Sequence, residues 1–442
     1  MRVSRPALLL TLRCLVVFSL LCAPPGAAAA EDVVYLSCGR LFDGSSAALR
    51  GPIAIIVRDG LIADIGENLP VPPGAATIDL SAYTTLPGLI DADTHIALHP
   101  GDYDSQILRE TPEFRTLYAS VNARRTLEAG ITTIRDLGNE GAGLADVALR
   151  DAINQGLVPG PRIVAAIQPI VASGAYGLVG FSPYATLPRI AHEADGPVEV
   201  RRQVRALVHS GADVIKVYME TFEKKQPAGD VLSGSRTYSD EELRALIDEA
   251  HAAGVKVAAH TYSDDNARRA IDAGADSIEH GLYVTEATFR IMAARGVAYV
   301  PTLLVYELWR DAKIFPTSTA DTRRRLKNTV DRHADAFRAA LRTPVKIVMG
   351  SDTFELPGTN AQELVAMVRT GMTPIEALRA ATSRGADLLG LAGQAGVLRK
   401  GAFADIIAVP GDPLTDISGV TRPVFVMKAG RVIVDRVTVD RR

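Results

Sequence analysis

One phrase recurs along the middle of the chain and limits its fold more than any other feature. Ala129-Gly130-Ile-Thr-Thr-Ile-Arg-Asp136, Ser210-Gly211-Ala-Asp-Val-Ile-Lys216 and Ala253-Gly254-Val-Lys-Val-Ala-Ala-His260 share one grammar. Ala273-Gly274-Ala-Asp-Ser-Ile-Glu-His280 and Arg295-Gly296-Val-Ala-Tyr-Val-Pro301 continue it. Each reads as a helix stopped by glycine and followed by a short apolar strand. Between them lie helical signals. Ser239 and Glu242 form a capping box before Leu243, Leu246, Ile247 and Ala250, and Thr373-Pro374-Ile375-Glu376 predicts a second. Such alternation argues a parallel α/β fold covered by helices on its faces. Strands centred near Leu89, Thr133, Val164, Ile215, Val257, Ile278, Val300 and Val348 predict a (β/α)8 TIM-like barrel. A doubly wound sheet shares the alternation. However, Asp93, His95, Lys216, His260, His280 and Asp352 all follow their strands, and only a barrel gathers those ends on one rim.

The two ends of the chain read differently. Val33–Leu36, Ile53–Val57 and Leu61–Gly66 are short strands, with Arg58-Asp59-Gly60 as a hairpin turn, and 401–409 and 424–433 look similar. A small β-sandwich domain built from 31–85 and 398–442 is therefore expected, with the hydrolase barrel at 86–397. Residues 1–30 have a secretory layout: Arg2 and Arg5, an apolar run to Leu21, then small residues up to Ala30. That predicts an exported bacterial protein, periplasmic or secreted, with no stable membrane span once the signal is cleaved. Cys14 and Cys22 lie in that segment, so Cys38 is left with no intramolecular disulfide partner. A net charge of −3 with interspersed signs gives no reason to expect a nucleic-acid partner. Self-association into a homo-oligomer is left open.

Leu86-Pro-Gly-Leu-Ile-Asp-Ala-Asp-Thr-His95 carries the first chemical signal. Side chains two apart in a strand project to one side, so Asp93 and His95 can share a divalent cation. His260 and His280 end runs where an unpaired imidazole would be costly to bury. Lys216 and Asp352 follow apolar strands in the same way. His209, His251 and His333 sit in helical patterns, and His99 and His192 in loops.

As a set these motifs resemble the amidohydrolase superfamily, in the branch of imidazolonepropionase-like enzymes and Xaa-Pro and Xaa-Arg dipeptidases. Gly-Ala-Asp-Val-Ile-Lys-Val-Tyr218 and Lys400-Gly401-Ala-Phe-Ala-Asp405 belong to the likeness. The resemblance implies metal ligands at His95, Lys216, His260, His280 and Asp352, with Lys216 carboxylated and bridging two divalent ions such as Zn2+. It gives Asp352 the general acid/base role. The family's usual His-x-His reads Asp93-Thr94-His95 here, so Asp93 takes the first position and one metal rather than two is an alternative. Where relatives often have Gly-Gly-His-Gly, this chain has Ser173-Gly-Ala-Tyr176-Gly177. Tyr218 matches a tyrosine that anchors the substrate carboxylate. Tyr176 and Arg236 are further substrate-binding candidates, with Lys224 and Lys225 in the same loop as Arg236. Tyr306 and Trp309 could wall a pocket or simply pack.

The expected activity is cleavage of an amide bond to a C-terminal amino acid in a small molecule: a dipeptide, an N-acyl amino acid or an ochratoxin-like amide. The alternatives are a cyclic amide or lactone hydrolase and, in another class, a metal-poor ligand-binding homologue. Deaminases of the superfamily lack the bridging lysine.

Overall fold

The computed structural model describes residues 33–437 except 179, 183, 223–225, 311–317 and 353–356. The predicted signal segment, Lys224 and Lys225 lie outside the described residues. The strands are β1 Val34–Leu41, β2 Ile53–Arg58, β3 Leu61–Gly66, β4 Ala76–Pro87, β5 Leu89–Thr94 and β6 Ile131–Asp136. They continue as β7 Arg162–Ala165, β8 Ile170–Val171, β9 His192–Glu193, β10 Val214–Tyr218, β11 Glu220–Phe222 and β12 Gly234–Arg236. The last six are β13 Lys256–Thr261, β14 Ser277–His280, β15 Ala298–Val300, β16 Ile406–Val409, β17 Phe425–Lys428 and β18 Arg431–Asp435.

Both ends of the chain build one seven-stranded sheet in the order β18-β17-β16-β4-β1-β2-β3. The β2–β3 turn has Asp59 at φ 51° and Gly60 at φ 78°, the left-handed pair that a two-residue hairpin requires. β4 joins the two ends. It pairs in parallel with β1 and antiparallel with β16, then runs through Gly88 into β5. A side chain at Gly88 would collide with Thr132, so only glycine lets the strand pass there.

The middle of the chain forms parallel strands with helices between them. β5-β6-β7 make one sheet and β15-β14-β13-β10-β8-β9 another. Seven of the eight predicted strand centres lie in strands; the eighth does not. Val348 belongs to a segment held by a single bridge between Ile347 and Tyr299. Val348 N–H to Tyr299 O is part of that bridge, and the other backbone bonds go elsewhere: Met349 N–H to the helix-end carbonyl of Ala380, and Ala92 N–H to Met349 O. Ser239 closes its predicted capping box with Glu242. The Thr373 box does not close, because the Glu376 carboxylate is taken by Arg379 and Arg384. Inside the parallel strands, buried Arg135 spans three of them, donating to Ala92 O (2.6 Å), Ser277 Oγ (3.0 Å) and both oxygens of Glu279 (3.0 and 3.1 Å). A buried guanidinium satisfied on every side ties strands together without an orphaned charge. Among the described residues no helix is long and apolar enough to cross a membrane.

Candidate metal centre and active site

The predicted ligands gather at the C-terminal ends of β5, β10, β13 and β14. Asp93 and His95 close β5, and Asp352 is drawn to them by its own N–H, which donates to Asp93 O (2.8 Å). His95 Nε2 lies 3.2 Å from Asp352 Oδ1 and 3.9 Å from Asp93 Oδ1. One ligand atom from each of these three residues falls within 4.8 Å of the others. Lys216 Nζ, 1% exposed, is 3.5 Å from Asp93 Oδ2. His280 Nδ1 is 3.8 Å from Asp352 Oδ2, and the His260 and His280 ring centroids are 4.4 Å apart. Asp352 and His280 both hold left-handed backbone, at φ 51° and 69°. Strain of this kind persists only where the surroundings over-determine it, and it concentrates at working sites.

The residues suit a cation. Asp93 Oδ1 and both His260 ring nitrogens are buried with no hydrogen-bond partner, which is costly unless an ion completes them. Burial works to lower the His95 imidazole, yet the hydrogen bond and charge of Asp352, with Glu140 and Asp93, push it up to about 10. The carboxylates thus draw positive charge to that spot. Burial, followed by the neighbouring Lys216 charge, holds His260 well below the usual range; for His280 burial comes first, then His260 and Lys216. Both therefore stay neutral, as metal ligands must be. The other edge of His95 is fixed by Nδ1, 2.8 Å from Gly138 O, which leaves Nε2 to face the cluster.

The comparisons agree with this geometry. Residues 84–433 match the amidohydrolase family. The chain belongs to that family. This amidohydrolase is 30% identical to an ochratoxinase of Aspergillus niger over 90% of its own chain and 86% of that relative. It is 27% identical to an imidazolonepropionase of Mesorhizobium japonicum, over 80% and 85% of the two chains. A solved Xaa-Pro dipeptidase structure with methionine bound in its active site superposes with a TM-score of 0.80 at 31% identity, over 91% of this chain and 99% of that one. The amidohydrolase is thus a hydrolase acting on carbon–nitrogen bonds, with a TIM-barrel type of fold, in a family that typically uses divalent metals.

The substrate-binding candidates separate. Tyr218 is sandwiched between Tyr176 (centroids 4.6 Å) and His260 (4.0 Å), beside the cluster. The Tyr176 hydroxyl donates to Glu140 Oε2 at 3.3 Å. Arg236 instead lies half exposed on β12, where it donates to Tyr238 O (2.8 Å) and Asp240 (3.3 Å); none of these contacts involves the cluster. Tyr306 packs edge-on to His280 and Trp309, and Phe222 stacks on Tyr262, forming an aromatic wall on the His280 side.

Several supporting residues carried no periodic signal. Thr302 Oγ1 bonds His280 Nδ1 at 2.8 Å from a left-handed backbone (φ 52°), rare for a β-branched residue. Glu363 secures that turn by accepting the Leu303 and Leu304 N–H groups at 2.9 and 2.7 Å. Glu220 gathers Thr261, Tyr262, Ser263 and Asn266, fixing the chain just past His260. Glu140 was also missed, and a polar residue soon after an apolar strand was its one available cue.

Proposed function

We propose that this protein is an exported, metal-dependent amidohydrolase that cleaves the amide bond to a C-terminal amino acid, as in dipeptides, N-acyl amino acids or ochratoxin-like amides. The observation that carries the reading is the buried meeting of Lys216 with Asp93, beside His95 on Asp352 and the orphaned nitrogens of His260. The scaffold is a (β/α)8 barrel with a terminal β domain. The bonds linking the 346–349 segment to both Tyr299 and Ala92 support closure. Export rests on the charged, apolar and small-residue order of residues 1–30.

Asp93, His95, Lys216, His260, His280 and Asp352 would hold one or two divalent ions, zinc being the expected metal. Bound there, the metal supplies a more acidic water and a polarised carbonyl. Lys216, once its amine has added to CO2 with release of one proton, would help to hold the ions as its carbamate. Asp352 takes a proton from the attacking water and returns it to the leaving amine. Tyr218, whose phenol is kept protonated chiefly by burial, donates to the carboxylate of the leaving amino acid. The test is a panel of dipeptides and N-acyl amino acids offered to zinc- or manganese-loaded protein. Release of the C-terminal amino acid is expected, and inertness across the whole panel would contradict the reading.

A further inference from the structure

Asp352 follows a segment that has no ladder of its own, so something other than strand pairing must fix its place. The backbone ties that segment to β5 through Ala92 N–H to Met349 O (2.9 Å) and Asp352 N–H to Asp93 O (2.8 Å). Between these two bonds a side chain takes over. Asp91, fully buried on β5, accepts the Ser351 N–H on Oδ1 at 2.9 Å and the Ser351 hydroxyl on Oδ2 at 2.5 Å. Oδ1 also takes the Asp93 N–H at 3.2 Å. Asn360, just before the helix Gln362–Arg369, donates to Asp91 Oδ2 at 2.8 Å and to the Ser351 hydroxyl at 3.3 Å. A Cβ on Gly350 would fall 2.3 Å from Val300 Cγ1 and 2.9 Å from Asp93 Cβ, so glycine lets the segment lie this close to β5 and β15.

An ionised carboxylate only accepts hydrogen bonds, and burying one is costly unless donors converge on it. Here they do, and they come from the residue before Asp352, from Asp93 itself and from Asn360. The grip matters because Asp352 holds left-handed backbone at φ 51°, which persists only where the surroundings over-determine it. Its Oδ1 must also meet His95 Nε2 at 3.2 Å. A misplacement of about 1 Å at such a group can cost about a hundredfold in rate. We propose that Asp91, held by Asn360, is a positioning residue that sets the stance of Asp352 through Ser351. It acts through Asp352 and not on substrate. The inference rests on the reading above in which Asp352 moves the proton, and adds what holds it in place.

The experiment measures kcat per bound zinc and KM for alanyl-phenylalanine on zinc-loaded wild type, Asp91→Asn and Asn360→Ala, and on each change combined with Asp352→Asn. Asp91→Asn turns an acceptor into a donor facing Asn360 and should lower kcat by about tenfold or more, with KM within about threefold. Asn360→Ala leaves β5 untouched and should show the same split at smaller size, so the test survives if Asp91→Asn does not fold. In the Asp352→Asn background each change should cost less than about threefold, because the group being placed no longer exchanges protons. General loosening of the fold would lower the rate equally in both backgrounds. Crystal structures of metal-free wild type and Asn360→Ala give a second readout. The separation of His95 Nε2 from Asp352 Oδ1 should grow in the variant by about 0.5 Å or more, the tolerance of a catalytic arrangement. Equal losses in the two backgrounds, or an unchanged separation, overturns the inference and leaves amide hydrolysis standing. If wild type hydrolyses no amide, that reading falls, and the separation alone supports or overturns the placement of Asp352 by Asp91.

Discussion

Lys216 Nζ sits 3.5 Å from Asp93 Oδ2 with both side chains sealed from solvent. The two come from different strands, β10 and β5, and both are among the residues proposed to hold the metal. Lys216→Ala should therefore lose most bound metal as well as activity. Partial recovery is expected on adding a short carboxylic acid that can occupy the bridge. Metal analysis and rate with and without the acid check this.

Asp352 contacts His95 and approaches His280, yet it remains partly exposed where the other ligands are closed off. That suits a group that must exchange protons with substrate. Asp352→Asn should lower kcat by about a hundredfold or more, the usual loss on removing a general acid/base. Much of the metal should stay, since the remaining ligands are untouched. Metal content measured beside kcat separates this from loss of the site.

Asp93 takes the first position of the Asp93-Thr94-His95 pair, and its Oδ1 lacks a partner among the described residues. Asp93→Ala should lower metal stoichiometry, and Asp93→His should keep it. Retention of full metal and rate by Asp93→Ala would mean that Asp93 is no ligand.

Thr302 engages His280 Nδ1 at 2.8 Å and so fixes the orientation of the ring beside Asp352. Thr302→Val should weaken metal affinity by roughly 10- to 100-fold, the range seen when a histidine's outer partner is lost. Thr302→Ser should restore it. Metal-binding titrations of the three proteins are the check.

These residues also mark what could be read from sequence. Asp59-Gly60 specifies its turn locally, because both positions need left-handed backbone, and the turn forms as read. The phrase around Gly211, Gly254 and Gly274 carries its own stop signals, so Lys216, His260 and His280 could be placed at strand ends. The gathering of these side chains with Asp93, His95 and Asp352 was legible for the same reason. Glu376 was misread since its choice between Thr373 and two arginines is made by packing. The Val348 segment was misread because its bonds go to single carbonyls rather than a ladder. Glu140, Thr302 and Glu363 act through long-range contacts and strained turns, which leave no periodic trace. Arg236 is suggested for substrate by its charge and its place in the loop after Tyr218, yet its partner is Asp240, a neighbour on the exposed side.

The most direct measurement strips the protein with a chelator and titrates zinc back, recording bound metal and hydrolysis of alanyl-phenylalanine together. The stripped protein should be nearly inactive, and the rate should climb in proportion to metal bound at the Asp93, His95 and Asp352 cluster. An undiminished rate in the metal-free protein would contradict the account.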